Sequence, residues 1–498
     1  MEERLIILSH RAALRDTTGR TADSGGTLGT SELVLSEMRA LRRTFGSFVL
    51  IGVCTALACS SDDGARGPDA FDAGDLPEGG PIGADGSGTD AATATDAPVA
   101  DGSLLSPTFV YRDINHVLGT GQSLSVGAVG SPVLSTMQPY DNRMFVTGVI
   151  AGGTGLTSFV PLVESGVETL SSAFANHVTR MARAEVLVGQ PAGKTSHDLL
   201  VSAHGIGGQP YSALKKGGTL TAYANGMAQL QAGHALAMAA NKSYVVRAVT
   251  NVHGESDSQN ANTGYLANLL EWQADYEADV KAVTSQAEPV PMLHTQFSSW
   301  TRLAGLPTTS IIPAQQLASH VSAPGKLVLV GAKYHLPYAA DGVHLTNEGY
   351  RHMGEDYAKV YRRVVLEGKT WEPIRPSNIT RVGAVVTVKM HVPVPPLVMD
   401  TTRVSDPGKN GFEWADDGPG TPTIASVVVT GPDTVVVTLS AAPAGANPRL
   451  RYAFTGVSGA LGGPTTGPRG NLRDSDATPS PEGYELYNWC VHFEAPAP

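Results

Sequence analysis

A serine, an aspartate and a histidine occupy positions in this sequence at which their side chains could carry out nucleophilic catalysis. Ser123 ends the run GTGQS at 119–123, whose glycines would let the chain turn sharply after a strand and expose the hydroxyl. Asp341 and His344 lie three positions apart in DGVHLT at 341–346, a spacing that lets a carboxylate orient an imidazole within one tight turn. A serine nucleophile needs such a base, and the base needs an orienting partner. Each pattern alone is also typical of an ordinary turn or an ion pair, so the prediction depends on the three residues meeting.

A further polar run, HGESD at 253–257, comes directly after the apolar run 244–252. Polar side chains at the end of a buried strand are costly unless they serve a site or a hydrogen-bonded network. The same run could instead form a loop that caps a helix predicted from residue 263, and both interpretations stay open.

Between about 108 and 368, apolar runs typical of strands alternate with patterns typical of helices. The predicted strands lie at 109–120, 198–205, 244–252, 291–297 and 326–332, and the predicted helices at 219–241, 263–286, 310–321 and 346–368. This alternation predicts an α/β fold with a parallel sheet that is covered on both faces. Sites in such folds form at the carboxyl ends of the strands, where all three polar runs would lie.

These runs, in this order, resemble sequence blocks of the SGNH hydrolases, most closely the branch of sialate O-acetylesterases and acetylxylan esterases. The resemblance covers about 110–368 and implies a three-layer α/β/α sandwich with a parallel sheet of the flavodoxin-like type. It implies that Ser123 is the nucleophile, that His344 is the general base and then the general acid, and that Asp341 orients the histidine. It also implies three residues that organise the pocket, namely Gln122, Glu255 and Asp257.

The same resemblance suggests where an oxyanion would bind. HGIGG at 204–208 is similar to the family's glycine block, in which a backbone N–H contacts the oxyanion. Gly208 is the predicted donor and Gly207 the alternative, and the N–H of Ser123 is a second donor.

The sequence departs from the family pattern in two places. His253 stands where Asn or Gln is usual, and Leu124 and Ser125 follow the nucleophile where Asn-Met is common. Because a neutral imidazole can offer one N–H, we predict that His253 replaces the usual amide as an oxyanion donor. The alternative is that His253 caps the loop and never touches substrate.

The reaction that the resemblance implies is ester hydrolysis through an acyl-enzyme, without metal or cofactor. The acid released in this branch is commonly acetate, so the implied substrate is an acetylated polysaccharide or sialoglycan. Two other functions stay open: a carbohydrate-binding surface protein that has lost the chemistry, and a lipase or thioesterase on the same fold. The intact Ser123, Asp341 and His344 argue against the first.

From about residue 369 the pattern changes to short β-rich runs with Gly and Pro between them. These runs lie at 382–394, 424–431, 433–440 and 449–456. Regularly spaced short strands predict a small all-β, sandwich-like accessory domain over 369–498, after a catalytic domain over 106–368.

The N-terminal part resembles an export signal. Arginines precede an apolar run at 45–58 that is shorter than the roughly 20 residues needed to span a bilayer. The signal is predicted over 38–59, and its ending ALAC resembles a bacterial lipobox in which Cys59 is lipidated. The alternatives are a signal cut by ordinary signal peptidase and a buried helix. Residues 1–37 have no place in a signal and are predicted to be a mis-called extension.

The composition of the chain indicates which classes of partner it can bind and where the protein is located. Residues 60–105 are rich in Asp, Gly, Ala, Pro, Ser and Thr, which predicts a disordered acidic linker. The formal net charge is −11 and no basic stripe supports nucleic-acid binding. Three cysteines, Cys54, Cys59 and Cys490, exclude a disulfide framework and a cysteine-based zinc site. The predicted protein is exported, acts on an acetylated carbohydrate, and touches a membrane only through a lipid anchor.

Overall fold

A computed structural model describes residues 109–184, 197–302 and 305–498 of the chain. The predicted N-terminal extension, the export signal with Cys59 and the acidic linker lie outside these described residues. None of the helices within the described part is long and apolar enough to cross a membrane.

Seven strands form one sheet across the first part of the described chain. They are β1 (Ile114–Gly121), β2 (Arg143–Phe145), β3 (Phe159–Pro161), β4 (Leu199–Ala203), β5 (Tyr244–Val252), β6 (Met292–His294) and β7 (Leu327–Leu329). The sheet order is β3-β2-β4-β1-β5-β6-β7. All pairings from β2 to β7 are parallel, and only the edge strand β3 runs antiparallel. Five strands coincide with predicted runs, whereas β2 and β3 are too short to be recognised in the sequence.

Helices cover both faces of this sheet. They are α1 (Leu170–Ala184), α2 (Tyr211–Leu214), α3 (Ala222–Ala239), α4 (Glu255–Gln259), α5 (Tyr265–Thr284), α6 (Ile312–Ser322) and α7 (Asn347–Tyr361). One apolar core contains residues of α1 and α7, and a second core contains residues of α3, α5 and α6. The two cores lie on opposite faces because alternate residues of β1, such as Val117 and Leu118, belong to different cores. The predicted three-layer α/β/α sandwich is therefore confirmed.

The C-terminal part is all-β, as predicted, and its strands pair antiparallel. They are β8 (Arg375–Val382), β9 (Val385–His391), β10 (Val398–Met399), β11 (Phe412–Ala415), β12 (Ile424–Val429), β13 (Thr434–Leu439), β14 (Arg449–Tyr452), β15 (Leu472–Arg473) and β16 (Phe493–Pro496). A four-stranded sheet, β12-β13-β9-β8, and a three-stranded sheet, β11-β14-β16, share one apolar core, and β10 pairs with β15. We call residues 375–496 the β region.

Buried polar contacts join the β region to the α/β layers. The Gln296 side chain, which lies just after β6, donates to the carbonyl of His492 at 2.9 Å and accepts from its N–H at 2.8 Å. The Tyr334 hydroxyl donates to the carbonyl of Cys490 at 2.6 Å, and the Cys490 thiol is buried and free. Contacts of this kind join the two parts closely, so they do not mark a boundary between separate domains. The predicted domain boundary at residue 368 therefore stays a prediction.

Helix α7 adds a pH-sensitive contact to this junction. Glu355 is buried and accepts from the Ser480 hydroxyl at 2.9 Å and the Tyr484 hydroxyl at 2.8 Å. Burial raises the pKa of the Glu355 carboxyl to about 7, so the folded protein holds a proton that the unfolded chain releases near pH 4–5.

The stability that Glu355 contributes is therefore present in acid and is lost as the pH rises through about 7. We expect the wild type to lose about 2–3 kcal/mol of unfolding free energy between pH 5 and pH 8 relative to Glu355→Gln, which cannot ionise. Urea unfolding of both proteins at the two pH values measures this difference. Asp141→Asn, at a position that is 75% exposed and away from Glu355, is the control and should follow the wild type. Parallel pH profiles for the wild type and Glu355→Gln would contradict the assignment.

Candidate active site

The nucleophile turn is fixed by a glycine at the end of β1. Gly121 has φ +127°, and a Cβ there would overlap the carbonyl oxygen of Val252 on the neighbouring strand. Only glycine satisfies both constraints, so the chain can leave the sheet at once. Ser123 then opens a short 3-10 turn, in which the Ser125 hydroxyl donates to the carbonyl of Gln122 at 2.7 Å. Ser125, which differs from the residue expected from the sequence resemblance, thus closes the turn that presents Ser123.

The loop before α7 presents the acid and the base. One oxygen of Asp341 accepts the N–H groups of Val343 and His344, each at 3.0 Å. The other oxygen lies 2.6 Å from Nδ1 of His344. The helix itself begins after Thr346, whose hydroxyl caps it by accepting the N–H of Gly349 at 3.1 Å. The carboxylate therefore shapes the loop with one oxygen and orients the imidazole with the other.

The structure brings the three predicted residues together. Nε2 of His344 lies 2.8 Å from Oγ of Ser123, on the ring edge opposite its contact with Asp341. Because a carboxylate only accepts, Nδ1 carries the proton and Nε2 is left to accept the proton of the serine hydroxyl. This is the arrangement that activates a serine for attack on a carbonyl.

The carboxyl group of Asp341 stays ionised. Partial burial opposes ionisation, but hydrogen bonds from the His344 ring and from the N–H groups of Val343 and His344 hold the pKa of Asp341 below its usual range. The Asp341 side chain is 42% exposed and that of His344 is 21% exposed. The site is therefore open at the protein surface rather than enclosed.

The glycine block lies beside the nucleophile. It follows β4, and the N–H of Ile206 donates to the carbonyl of Gly121 at 3.1 Å. A Cβ built on Gly207 would lie 3.4 Å from Cβ of Ser123, whereas one on Gly208 would meet no atom within 4 Å. Of the two predicted donors, Gly207, which was the alternative, therefore lies closer to the serine than Gly208. The choice between Gly207 and Gly208 as oxyanion donor stays a prediction.

His253 does not face the reacting serine, and the geometry contradicts its predicted role as an oxyanion donor. The side chain is fully buried, with Nδ1 2.8 Å from the Tyr265 hydroxyl and Nε2 3.0 Å from the carbonyl of Gln209. A carbonyl can only accept, so the N–H of a neutral His253 is directed at Gln209. The ring also stacks on Tyr265 and meets Trp272 edge-on. His253 therefore holds the chain just after the glycine block, and burial lowers the pKa of its imidazole, which keeps it neutral.

Gln122 and Glu255 support the site without facing the reaction. The side-chain oxygen of Gln122 accepts the N–H of Ser256 at 3.3 Å, which links the nucleophile turn to α4. Glu255 is buried against Lys333, with 3.0 Å between Oε1 and Nζ. Burial alone would raise the pKa of Glu255, but the ammonium group of Lys333 holds it below its usual range. Sequence reasoning missed Lys333, and the only signal was a lysine soon after the apolar run of β7.

Asp257 has a structural role as well. One of its oxygens accepts the N–H of Tyr211 at 2.8 Å, and the other accepts from the side chain of Asn262 at 2.5 Å. The carboxylate thereby joins the starts of α2 and α5, and it lies 3.5 Å from Nε2 of His253. The predicted pocket support thus consists of contacts between loops at the carboxyl edge of the sheet.

A cavity of about 270 Å³ opens between α4 and the loop that follows β6. Most of its exposed wall is apolar, with Phe297, Trp300, Leu306 and Ile311, and the wall also contains the charged side chains of Glu255 and Arg302. The cavity shares Glu255 with the support of the nucleophile turn, but Ser123, Asp341 and His344 do not line it.

Among the described residues, one cluster could hold a metal ion. Ligand atoms of His335, His352 and Asp356 lie within 4.8 Å of one another, and Nε2 of His335 is 3.2 Å from the Asp356 carboxylate. The ammonium group of Lys359 contributes to the charge around Asp356 and disfavours a further cation there. Neither Ser123 nor His344 belongs to the cluster.

No protein-family model matches the chain, and no curated protein matches it. Among solved structures, it is similar to a carbohydrate acetylesterase from Xanthomonas citri, with 15% identity, a TM-score of 0.49, and coverage of 76% of this chain and 80% of that one. It is also similar to NanS, with 12% identity, a TM-score of 0.34 and coverage of 51% and 98%. Est24, a carbohydrate acetylesterase from Sinorhizobium meliloti, has 14% identity, a TM-score of 0.27 and coverage of 49% and 97%.

The buried position of His253 predicts a loss of stability rather than of chemistry. We expect His253→Ala to lower the unfolding free energy by about 2–4 kcal/mol, because it removes a buried ring and leaves two polar partners unpaired. Turnover of an activated acetate ester per folded molecule should fall less than about tenfold, whereas loss of an oxyanion donor costs about 10²–10³. Urea unfolding and turnover normalised to folded protein measure the two effects.

Tyr265→Phe removes only the hydroxyl that contacts Nδ1 of His253, and it should cost less stability than His253→Ala. A His253→Ala protein with wild-type stability and a hundredfold lower turnover would restore the oxyanion role.

Proposed function

We propose that this chain is a serine esterase that removes acetyl groups from carbohydrate esters through an acyl-enzyme. The observation that carries the proposal is the imidazole of His344, which bridges Oγ of Ser123 at 2.8 Å and the Asp341 carboxylate at 2.6 Å. A base held between a serine and a carboxylate has few structural uses on a protein surface, and it suits acyl transfer.

The proposed reaction proceeds in two halves. Nε2 of His344 takes the hydroxyl proton as Oγ of Ser123 forms a bond to the ester carbonyl carbon. Asp341 stabilises the imidazolium, and the N–H of Ser123 with that of Gly207 or Gly208 stabilises the oxyanion. The imidazolium then gives its proton to the departing alcohol oxygen. In the second half His344 takes a proton from water, the hydroxide attacks the acyl-serine, and acetic acid leaves as Ser123 regains its proton.

The choice of substrate follows from the sequence resemblance and is supported by the openness of the site. Asp341 is 42% exposed, so an ester group on a bulky chain can reach the triad without entering a tunnel. A lipase or thioesterase would need an apolar channel for a long acyl chain. Turnover of 4-nitrophenyl esters from acetate to decanoate separates the candidates. Short-chain preference fits the proposal, long-chain preference fits a lipase, and absent turnover fits a binding protein.

The triad should act as a unit. We expect Ser123→Ala and His344→Ala each to lower kcat on 4-nitrophenyl acetate by about 10⁴-fold or more, and the double variant to lower it no further. Steady-state turnover of the purified proteins measures this, with Ser131→Ala and His234→Ala as controls outside the triad.

Addition of a chelator should leave turnover unchanged, because neither the attack nor the proton transfers use a metal. Full activity of Ser123→Ala, or activity that disappears with the chelator, would refute the serine mechanism. Acetate release from a panel of acetylated glycans then identifies the natural ester.

We further propose that Cys59 carries lipid and anchors the protein to a membrane. Expression from Met38 in a bacterial host should give a membrane-bound protein whose first residue is a lipidated Cys59, and mass spectrometry detects the modification. Cys59→Ser should abolish it, whereas Cys54→Ser, five residues earlier and inside the apolar run, should not. Mature wild-type protein with an unmodified Cys59 would rule the anchor out.

A further inference from the structure

The β region contacts the loop that carries Asp341 and His344. The contact is made by residues 456–463, which belong to the connection between β14 and β15 and which we call the 456–463 segment. The N–H of Gly462 donates to the carbonyl of Gly342 at 3.0 Å. A Cβ built on Gly342 would lie 2.5 Å from Cβ of Leu461, so the leucine packs directly on the backbone between the acid and the base.

The rest of the 456–463 segment is anchored on the loop after β6. The N–H of Gly459 donates to the carbonyl of Thr301 at 2.7 Å, and the Thr301 hydroxyl donates to the carbonyl of Ala460 at 2.8 Å. The N–H of Gly456 donates to the carbonyl of Thr308 at 2.8 Å. These contacts hold the segment in one position, so it can act as a fixed support for the loop above Gly342.

The catalytic loop is held from two sides. On the inner side Val343 is 6% exposed and belongs to the core between the sheet and α7. On the outer side Leu461 and Gly462 cover Gly342, while the Asp341 side chain is largely exposed. Hydrogen bonds within the loop orient His344 relative to Asp341, but they do not fix the pair relative to Ser123. That placement depends on the burial of Val343 and Leu345 in the core, and the cover from the β region adds to it.

We infer that Leu461 and Gly462 are positioning residues of the active site, so that the β region completes the catalytic site. The kinetic consequence rests on the proposed esterase function. A displacement of about 1 Å between reacting groups can cost about 10²-fold in rate, so loss of the cover should lower kcat more than it changes KM.

The test uses the full chain with single substitutions in the 456–463 segment. Leu461→Ala removes the branch that packs on Gly342, and Leu461→Met restores bulk. Gly462→Ala adds a Cβ 2.7 Å from the Tyr338 ring and 3.0 Å from the carbonyl oxygen of Gly342, which should push the loop away. Val457→Ala is the matched control, since Val457 lies in the same segment but is 74% exposed.

We expect Leu461→Ala and Gly462→Ala to lower kcat on 4-nitrophenyl acetate by about ten- to a hundredfold with KM within about threefold. Leu461→Met should recover most of the rate, and Val457→Ala should match the wild type. Wild-type kcat in both Leu461→Ala and Gly462→Ala would overturn the inference, and so would a rise in KM alone, which would indicate contact with substrate instead.

A second readout does not require turnover. The proton NMR signal of the imidazole Cε1–H of His344 is assigned by its loss in His344→Gln. Its chemical shift should change in Leu461→Ala and stay unchanged in Val457→Ala. If the wild type hydrolyses no ester but this shift appears, the positioning role stands and the esterase proposal falls. If the wild type is active and neither the signal nor kcat responds, the esterase proposal stands and the positioning role falls.

Discussion

The hydrogen bond between His344 and Ser123 joins side chains that enter the site from separate strands. Because it is 2.8 Å long, it forms only if the elements that carry the two side chains keep a fixed relative position. Ser123 is tied to β1, the central strand, through a glycine turn with no freedom for a larger residue. His344 comes from the far side of the sheet, in the loop between the edge strand β7 and α7. The parallel sheet brings both to one edge, but the loop of His344 must still cross the ends of the intervening strands to reach Ser123.

Most of the polar residues around this hydrogen bond are buried, and they support the site rather than take part in the reaction. Burying the charges of Glu255 and Lys333 costs free energy, and their ion pair opposes that cost. Such pairs are more useful for fixing geometry than for adding stability, and this one fixes the start of α4, which contacts Gln122 through Ser256. His253 likewise fixes the position of Gln209, because its ring contacts the carbonyl of that residue. Chemistry and support are therefore separated: the triad is partly exposed, whereas its supports are buried.

Sequence reasoning predicted the triad because its signals are local. The glycine turn before Ser123 and the spacing of Asp341 and His344 depend on a few adjacent residues, and the strand ends that join them follow from apolar runs. The prediction for His253 was wrong because position at a strand end does not tell which neighbours will surround a side chain. Its partners, Tyr265 and Gln209, come from other loops. Lys333 was missed for the same reason, since a lysine is buried only where a distant carboxylate meets it.

The β region is the part whose relation to the site was hardest to foresee from the sequence. Short apolar runs predicted four of its strands, β9, β12, β13 and β14. The contact of Leu461 with Gly342 joins residues far apart in the chain and follows no local pattern. An open triad on a surface loop suits large substrates, yet only the inner face of the loop packs in the core, through Val343 and Leu345, and its outer face at Gly342 needs other contacts. A second layer of structure against the outer face of the loop resolves this conflict, because it leaves Asp341 accessible while restricting Gly342. The β region therefore does more than lie beside the α/β layers, since its segment supplies contacts that the exposed loop cannot provide for itself.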